Sequence, residues 1–134
     1  MLEIPAQHTF AYRLEELGRG HAVMVAPYDP TFNGIYQCFH GGLLATLADS
    51  TGGAATLTVI GASAPMATTE LTIRFLAPCR TDARATARII KSGRTMVTTE
   101  INVHDMNGLH CAVCHASYIR LHNQPEKESD RRNP

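Results

Sequence analysis

Asp49 is the one charged residue between Asp29 and Glu70. An unpaired buried carboxylate is expensive, so this acid must reach solvent, find donors, or do chemistry. Desolvation raises a carboxyl pKa, which suits a general base better than a free carboxylate does. A helix-surface Asp with one exposed face gives the same pattern, but apolar Leu47 and Ala48 and small Gly52 and Gly53 count against it. Nine positions before Asp49 begins the run His40-Gly41-Gly42. Glycines at a helix start leave backbone N–H groups open to a ligand, and the helix dipole adds positive potential. Such a place suits polarisation of a substrate carbonyl and the oxyanion that develops from it.

The spacing sharpens the reading. At ~1.5 Å rise per residue, Gly41 and Asp49 of one helix lie ~12 Å apart. One carbonyl carbon cannot touch both. If the two groups cooperate they come from different subunits, with two such helices antiparallel about a twofold axis. The reaction then requires at least a dimer.

Two other patterns compete. Cys111-Ala-Val-Cys114-His115 is a C-x-x-C-H run, the haem c attachment pattern. The flanking residues alternate like a strand, in which positions three apart point to opposite faces, so Cys111 and Cys114 would diverge. The same geometry argues against a shared metal, and neither a metal nor another cofactor is expected. Cys38 would need a base to act as a nucleophile, and His40 is near it only in sequence.

The elements that must position these groups follow from periodicity. Tyr12 to Leu17 reads as a short helix ending at Gly18, after a loose lead-in over residues 1–9. His21 to Pro27 reads as a first strand, and residues 28–39 as a loop rich in turn formers. His40 to Ile60 has helical spacing at Leu43, Leu44, Leu47, Ala48, Thr51 and Ala55, with Gly61 as its stop. Gly52 and Gly53 weaken that helix by roughly 1 kcal/mol each relative to Ala, which implies that something packs closely there. Period two then takes over, with Ala67, Thr69, Leu71, Ile73 and Phe75 on one strand face. Further strands are expected over Ala83–Ile90, Met96–His104 and Leu109–Leu121, as an antiparallel meander with turns at Ser92-Gly93 and Met106-Asn107-Gly108. The class is α+β, a sheet curled around one long helix.

The chain has 134 residues, and the expected organisation is one domain over 1–122 with a disordered polar tail over 123–134. Net charge is +0 and the basic residues are scattered, which argues against a nucleic-acid or membrane-surface partner. No stretch reads as a membrane span, and Glu3 with no basic lead argues against a signal peptide. A cytoplasmic location and reduced thiols are the matching expectations.

HGGLLATLADSTGGAA, MATTELTIRFLAPCR, the KSGRT turn at 91–95 and the D-x-x-G turn from Asp105 to Gly108 follow one another in order. Together they resemble the hotdog-fold acyl-CoA thioesterase superfamily, in its phenylacetate-degradation (PaaI-like) or 4-hydroxybenzoyl-CoA thioesterase-type branch, over roughly residues 20–121. The resemblance implies a hotdog fold, a long central helix wrapped by a curved antiparallel sheet. It implies hydrolysis of an aryl- or medium-chain acyl-CoA to free acid and CoA by a homo-oligomer, commonly a tetramer. Asp49 would be general base or nucleophile, and the Gly41 N–H of the other subunit would polarise the carbonyl. His40 would support that loop, Thr68 would position the water, and Gly42 and Ser50 would line the substrate site. Lys91, Gly93, Arg94 and Thr95 would meet the CoA phosphates.

One loop departs from the branch, which has Asn six positions before the His and Gly three before it. Here those positions hold Gly34 and Gln37, and a one-residue insertion would restore Asn33 as a water- or loop-positioning group. The loop DPTFNGIY is similar to a sister branch with its catalytic Asp in a D-P-x-G pattern, which makes Asp29 a rival carboxylate at a longer spacing. A hotdog hydratase or dehydratase, and a non-catalytic acyl-CoA sensor on the same fold, are the alternative functions.

Overall fold

A computed structural model describes residues 5–121, so the expected tail over 123–134 lies outside the described residues. The centre is helix α2, Gly41–Ile60. His40 caps its start, its Nδ1 accepting the Gly42 N–H at 3.0 Å. Gly61 ends it with φ 120°, a conformation that glycine alone adopts easily. Leu44, Leu47, Ala48, Thr51 and the run Gly52–Thr56 are buried. By length and apolar composition α2 meets the requirement for a bilayer span, which corrects the expectation that no stretch does. Half of its most apolar window is buried against the protein's own sheet.

That sheet has six antiparallel strands: β1 (Arg13–Gly18), β2 (His21–Ala26), β3 (Met66–Phe75), β4 (Ala83–Ser92), β5 (Met96–Asp105) and β6 (His110–Arg120), in the order β1-β2-β4-β5-β6-β3. The expected meander is therefore only β4-β5-β6; β3 crosses to the far edge and pairs with β6. The helix-facing side of the sheet is lined by small residues, among them Ala22, Ala83, Ala85, Ala87, Ala112 and Ala116, all buried. Small side chains let a helix without a strong apolar stripe lie close to the strands.

Three further expectations are corrected. Residues 1–9 are not all lead-in, because Pro5–Phe10 forms a short helix, α1. Tyr12–Leu17 is not helical but becomes β1. A tight turn at Arg19-Gly20, with Gly20 at φ 73°, folds β1 onto β2. Glu15 and Glu16 then pair with Arg84 of β4, so cross-strand partners override the local Leu14/Leu17 spacing. Finally, β3 carries a bulge: Thr68 faces Tyr118 and Glu70 faces Ser117, leaving Thr69 as the extra residue. Met66 and Thr68 before the bulge, and Leu71, Ile73 and Phe75 after it, look toward the helix. Ala67 and Thr69 do not share that face.

Candidate active site

Asp49 sits half-buried on α2, at a cleft of about 510 Å³ between the helix and β3 and β6. The Thr68 hydroxyl donates to Asp49 Oδ1 at 2.8 Å. It reaches because the bulge turns Thr68 inward. The Tyr118 hydroxyl donates to the Asp49 main-chain oxygen at 2.7 Å and lies 3.3 Å from Oδ1. Both side-chain donors converge on Oδ1, so among the described residues Oδ2 is left without a donor. A carboxylate held by one oxygen and open at the other can take a proton or attack with a defined direction.

Tyr118 is only 1% exposed. Burial, and then the neighbouring Asp49 carboxylate, drive its pKa well above the ordinary phenol value, so it acts as a fixed neutral donor. Gly52 makes room for it. A Cβ there would collide with the Tyr118 hydroxyl and come within 3.1 Å of Ile101 and Thr99 side-chain atoms. The two glycines expected to mark close packing do so, Gly53 against Met66 at 3.2 Å. Ser50, next to Asp49, shares a 2.8 Å hydrogen bond with buried Tyr12.

Gly41 lies elsewhere. It lines a separate concavity of about 430 Å³ with Cys38, Phe39, Leu44, Phe75 and Pro78. A Cβ on Gly41 would touch the Phe75 ring at 3.0 Å. Gly42 donates to the His40 ring, and Leu43 and Leu44 donate to the His40 carbonyl. Among the described residues the Gly41 N–H alone of this first turn has no acceptor. Within one chain Asp49 and Gly41 therefore open into different cavities.

The remaining predicted groups fall into three places. Asn33 stands in the loop before α2, its amide donating to the Tyr28 hydroxyl at 2.8 Å, and its Oδ1 is buried with no partner among the described residues. Asp29 caps a 3-10 turn at Pro30–Phe32 by accepting the Thr31 N–H. Lys91 lies near the end of β4, and Gly93, Arg94 and Thr95 form the β4–β5 turn, with Gly93 required because a Cβ would sit 2.9 Å from the Met96 carbonyl. Lys91 and Arg94 are exposed. The ladder Thr68–Tyr118–Val97–Ser92 links Asp49's partner to that turn across the sheet.

The alternation expected to part Cys111 from Cys114 is interrupted, because Cys111 is the extra residue where β6 shifts register against β5, and both thiols are buried in the core. Cys114 faces the helix with Ala116 and Tyr118; burial first, then Asp49, lift its pKa to about 11. Cys111 lies beside Pro78 and Cys79 in the same core, and burial raises it too. The His40 Nδ1 is committed to Gly42, which leaves Cys38 without that nitrogen as a base. Sequence reasoning missed Tyr118 and Tyr12. The available signal was a tyrosine on the apolar side of β6, since a buried phenol needs a partner for its hydroxyl.

Residues 36–112 match the family model of the thioesterase superfamily. A provisionally named esterase of Saccharolobus solfataricus is 34% identical over 69% of this chain, and the match spans 66% of that relative's length. A thioesterase family protein of Silicibacter pomeroyi has the same fold, with TM-score 0.84 at 24% identity over 88% of this chain and 90% of its own. The PaaI protein of the E. coli phenylacetic acid degradation operon gives 0.81 at 20% identity over 87% and 84%. By its matched segment and its helix-wrapping sheet, the chain belongs to the thioesterase superfamily and has the hotdog fold.

Proposed function

We propose that this protein hydrolyses an acyl-CoA thioester, in the manner of the PaaI-like branch, with Asp49 as the working carboxylate. The observation that carries the reading is the one-sided anchoring of Asp49 by Thr68 and Tyr118 at the mouth of a cleft. Its free Oδ2 takes the proton from water as the water oxygen attacks the thioester carbon. The C–S bond then breaks, and the proton passes to the departing CoA sulfur. Attack by Oδ2 itself, through a mixed anhydride that water later opens, uses the same geometry.

Because Gly41 opens into another cavity, the carbonyl oxygen would meet the Gly41 N–H of a second subunit, whose helix N-terminus favours developing negative charge. The active unit is then at least a dimer. Exposed Lys91 and Arg94 suit the CoA phosphates. No metal or redox group is required by this chemistry. Thiol release from a panel of acyl-CoAs tests the reading. Turnover that Asp49→Asn abolishes supports it, and turnover unchanged by Asp49→Asn overturns the assignment and moves attention to Asp29.

A further inference from the structure

The Asp49 cleft continues well past the carboxylate. Gly53, Ala54 and Leu57 of α2 form one wall, and Pro65, Met66 and Leu121 form the other. Leu57 stands two helical turns beyond Asp49, ~12 Å along the axis. Among the described residues lining this cleft Asp49 is the only charged group, and Arg and Lys are absent. The one aromatic ring is that of Tyr118, whose hydroxyl is committed to Asp49.

We propose that this extension holds the acyl group, and that the acyl group is an uncharged aliphatic chain of medium length. The inference rests on the thioesterase reading and names its substrate class. A dicarboxylic monothioester would bring a second carboxylate into a cleft to which the described residues of this subunit supply no cation and whose mouth already holds Asp49, a burial that no lining residue of this subunit compensates. An aryl group gains most from rings that meet it edge-to-face or offset, and past the carboxylate this subunit's walls offer mainly aliphatic and thioether ends, with Gln7 and Ser63 as the polar groups. Met66 adapts to a flexible chain because its unbranched side chain turns freely. Leu57 is half-buried at the far end, so it is the residue that limits chain length.

The test measures kcat/KM for acetyl-, butyryl-, hexanoyl-, octanoyl-, decanoyl- and palmitoyl-CoA, and for phenylacetyl-, 4-hydroxybenzoyl- and glutaryl-CoA. An optimum in the middle of the straight-chain series, with glutaryl-CoA at least tenfold poorer than hexanoyl-CoA, is expected. Leu57→Trp should lower the octanoyl-to-butyryl ratio of kcat/KM at least tenfold, and Leu57→Phe should do so more mildly if the larger change impairs folding. Independently of turnover, octanoyl-CoA titrated into Asp49→Asn should bind with a more negative heat-capacity change than butyryl-CoA. Each added methylene that fits should tighten binding roughly fourfold. Preference for an aryl or dicarboxylic thioester overturns the inference while leaving the thioesterase reading intact, as does an equal loss on every substrate in both Leu57 variants. No turnover of any thioester removes the enzyme reading and this inference with it.

Discussion

The Tyr118 hydroxyl donates to the main-chain oxygen of Asp49 at 2.7 Å and lies 3.3 Å from its Oδ1. One phenol proton thus ties the last strand to the helix at the residue that carries the proposed chemistry. Any change that moves β6 relative to α2 is transmitted directly to the carboxylate.

Removing the base should remove the reaction. Asp49→Asn is expected to lower kcat about 10²–10⁴-fold, the range for loss of a positioned general base, with a smaller change in KM. Thr68→Val keeps the carboxylate but frees Oδ1 on one side, and its loss should be smaller and fall on kcat. Steady-state thiol release measures both.

Tyr118 and Gly52 should behave as a coupled pair. Tyr118→Phe loses a hydrogen bond worth about 1 kcal/mol, a fall in Tm of about 4 °C for a domain of this size. Gly52→Ala puts a methyl where the hydroxyl sits, and overpacking of this kind costs about 1–3 kcal/mol. In the double variant the obstructing oxygen is gone, so the combined loss should be less than the sum of the two. Thermal unfolding of the four proteins closes the cycle, and simple additivity would contradict the contact.

The two-subunit site predicts complementation. Gly41→Pro deletes the N–H at the first helical position, where proline suits the backbone, and Gly41→Ala, which presses on Phe75 in the same way but keeps the N–H, is its control. Alone, Gly41→Pro and Asp49→Asn should each be nearly inactive. Mixed one to one and co-refolded, random pairing makes half the dimers mixed, each with one intact site of two, so activity should recover to about a quarter of the native value. If Gly41 and Asp49 of one chain worked together, mixing would recover nothing.

Acid should weaken the outer face of the sheet at Glu100. The Asn102 amide first, and then Arg88, hold the Glu100 carboxyl below its usual value. A folded-state pKa below the unfolded one adds stability that is fully present above the unfolded value and is lost as pH falls through the folded one. The Tm gap between native protein and Glu100→Gln should therefore be largest at neutral pH and close below the carboxylate range. The Arg88 side chain is 62% exposed, so the gap should correspond to less than about 1 kcal/mol.

The helix, its caps and five of the six strands were legible because each depends on local periodicity or a glycine stop, as at His40 and Gly61. Strand β1 was not, since Leu14 and Leu17 fit a helix until β2 and Arg84 are in place. The partner of β3 was equally hidden: alternation gives a strand its faces but not its neighbour. Asp49 stood out by its isolation in an uncharged stretch, whereas Thr68 was placed by resemblance alone. The alternation expected for β3 would have turned it away from the helix. Tyr118 needed the register of β6 against β3 before its hydroxyl could be assigned to Asp49.

The extra residue in β3 has a consequence for anyone editing or aligning this chain. Thr69 acts as a phase shifter between two halves of one strand. Deleting it would not trim a loop. It would put the two halves back in step, sending either Thr68 out to solvent or Leu71, Ile73 and Phe75 out of the core. An alignment gap at this position therefore marks a change of frame in the wall that holds Asp49, and homologues that differ there should not be compared side chain for side chain across it.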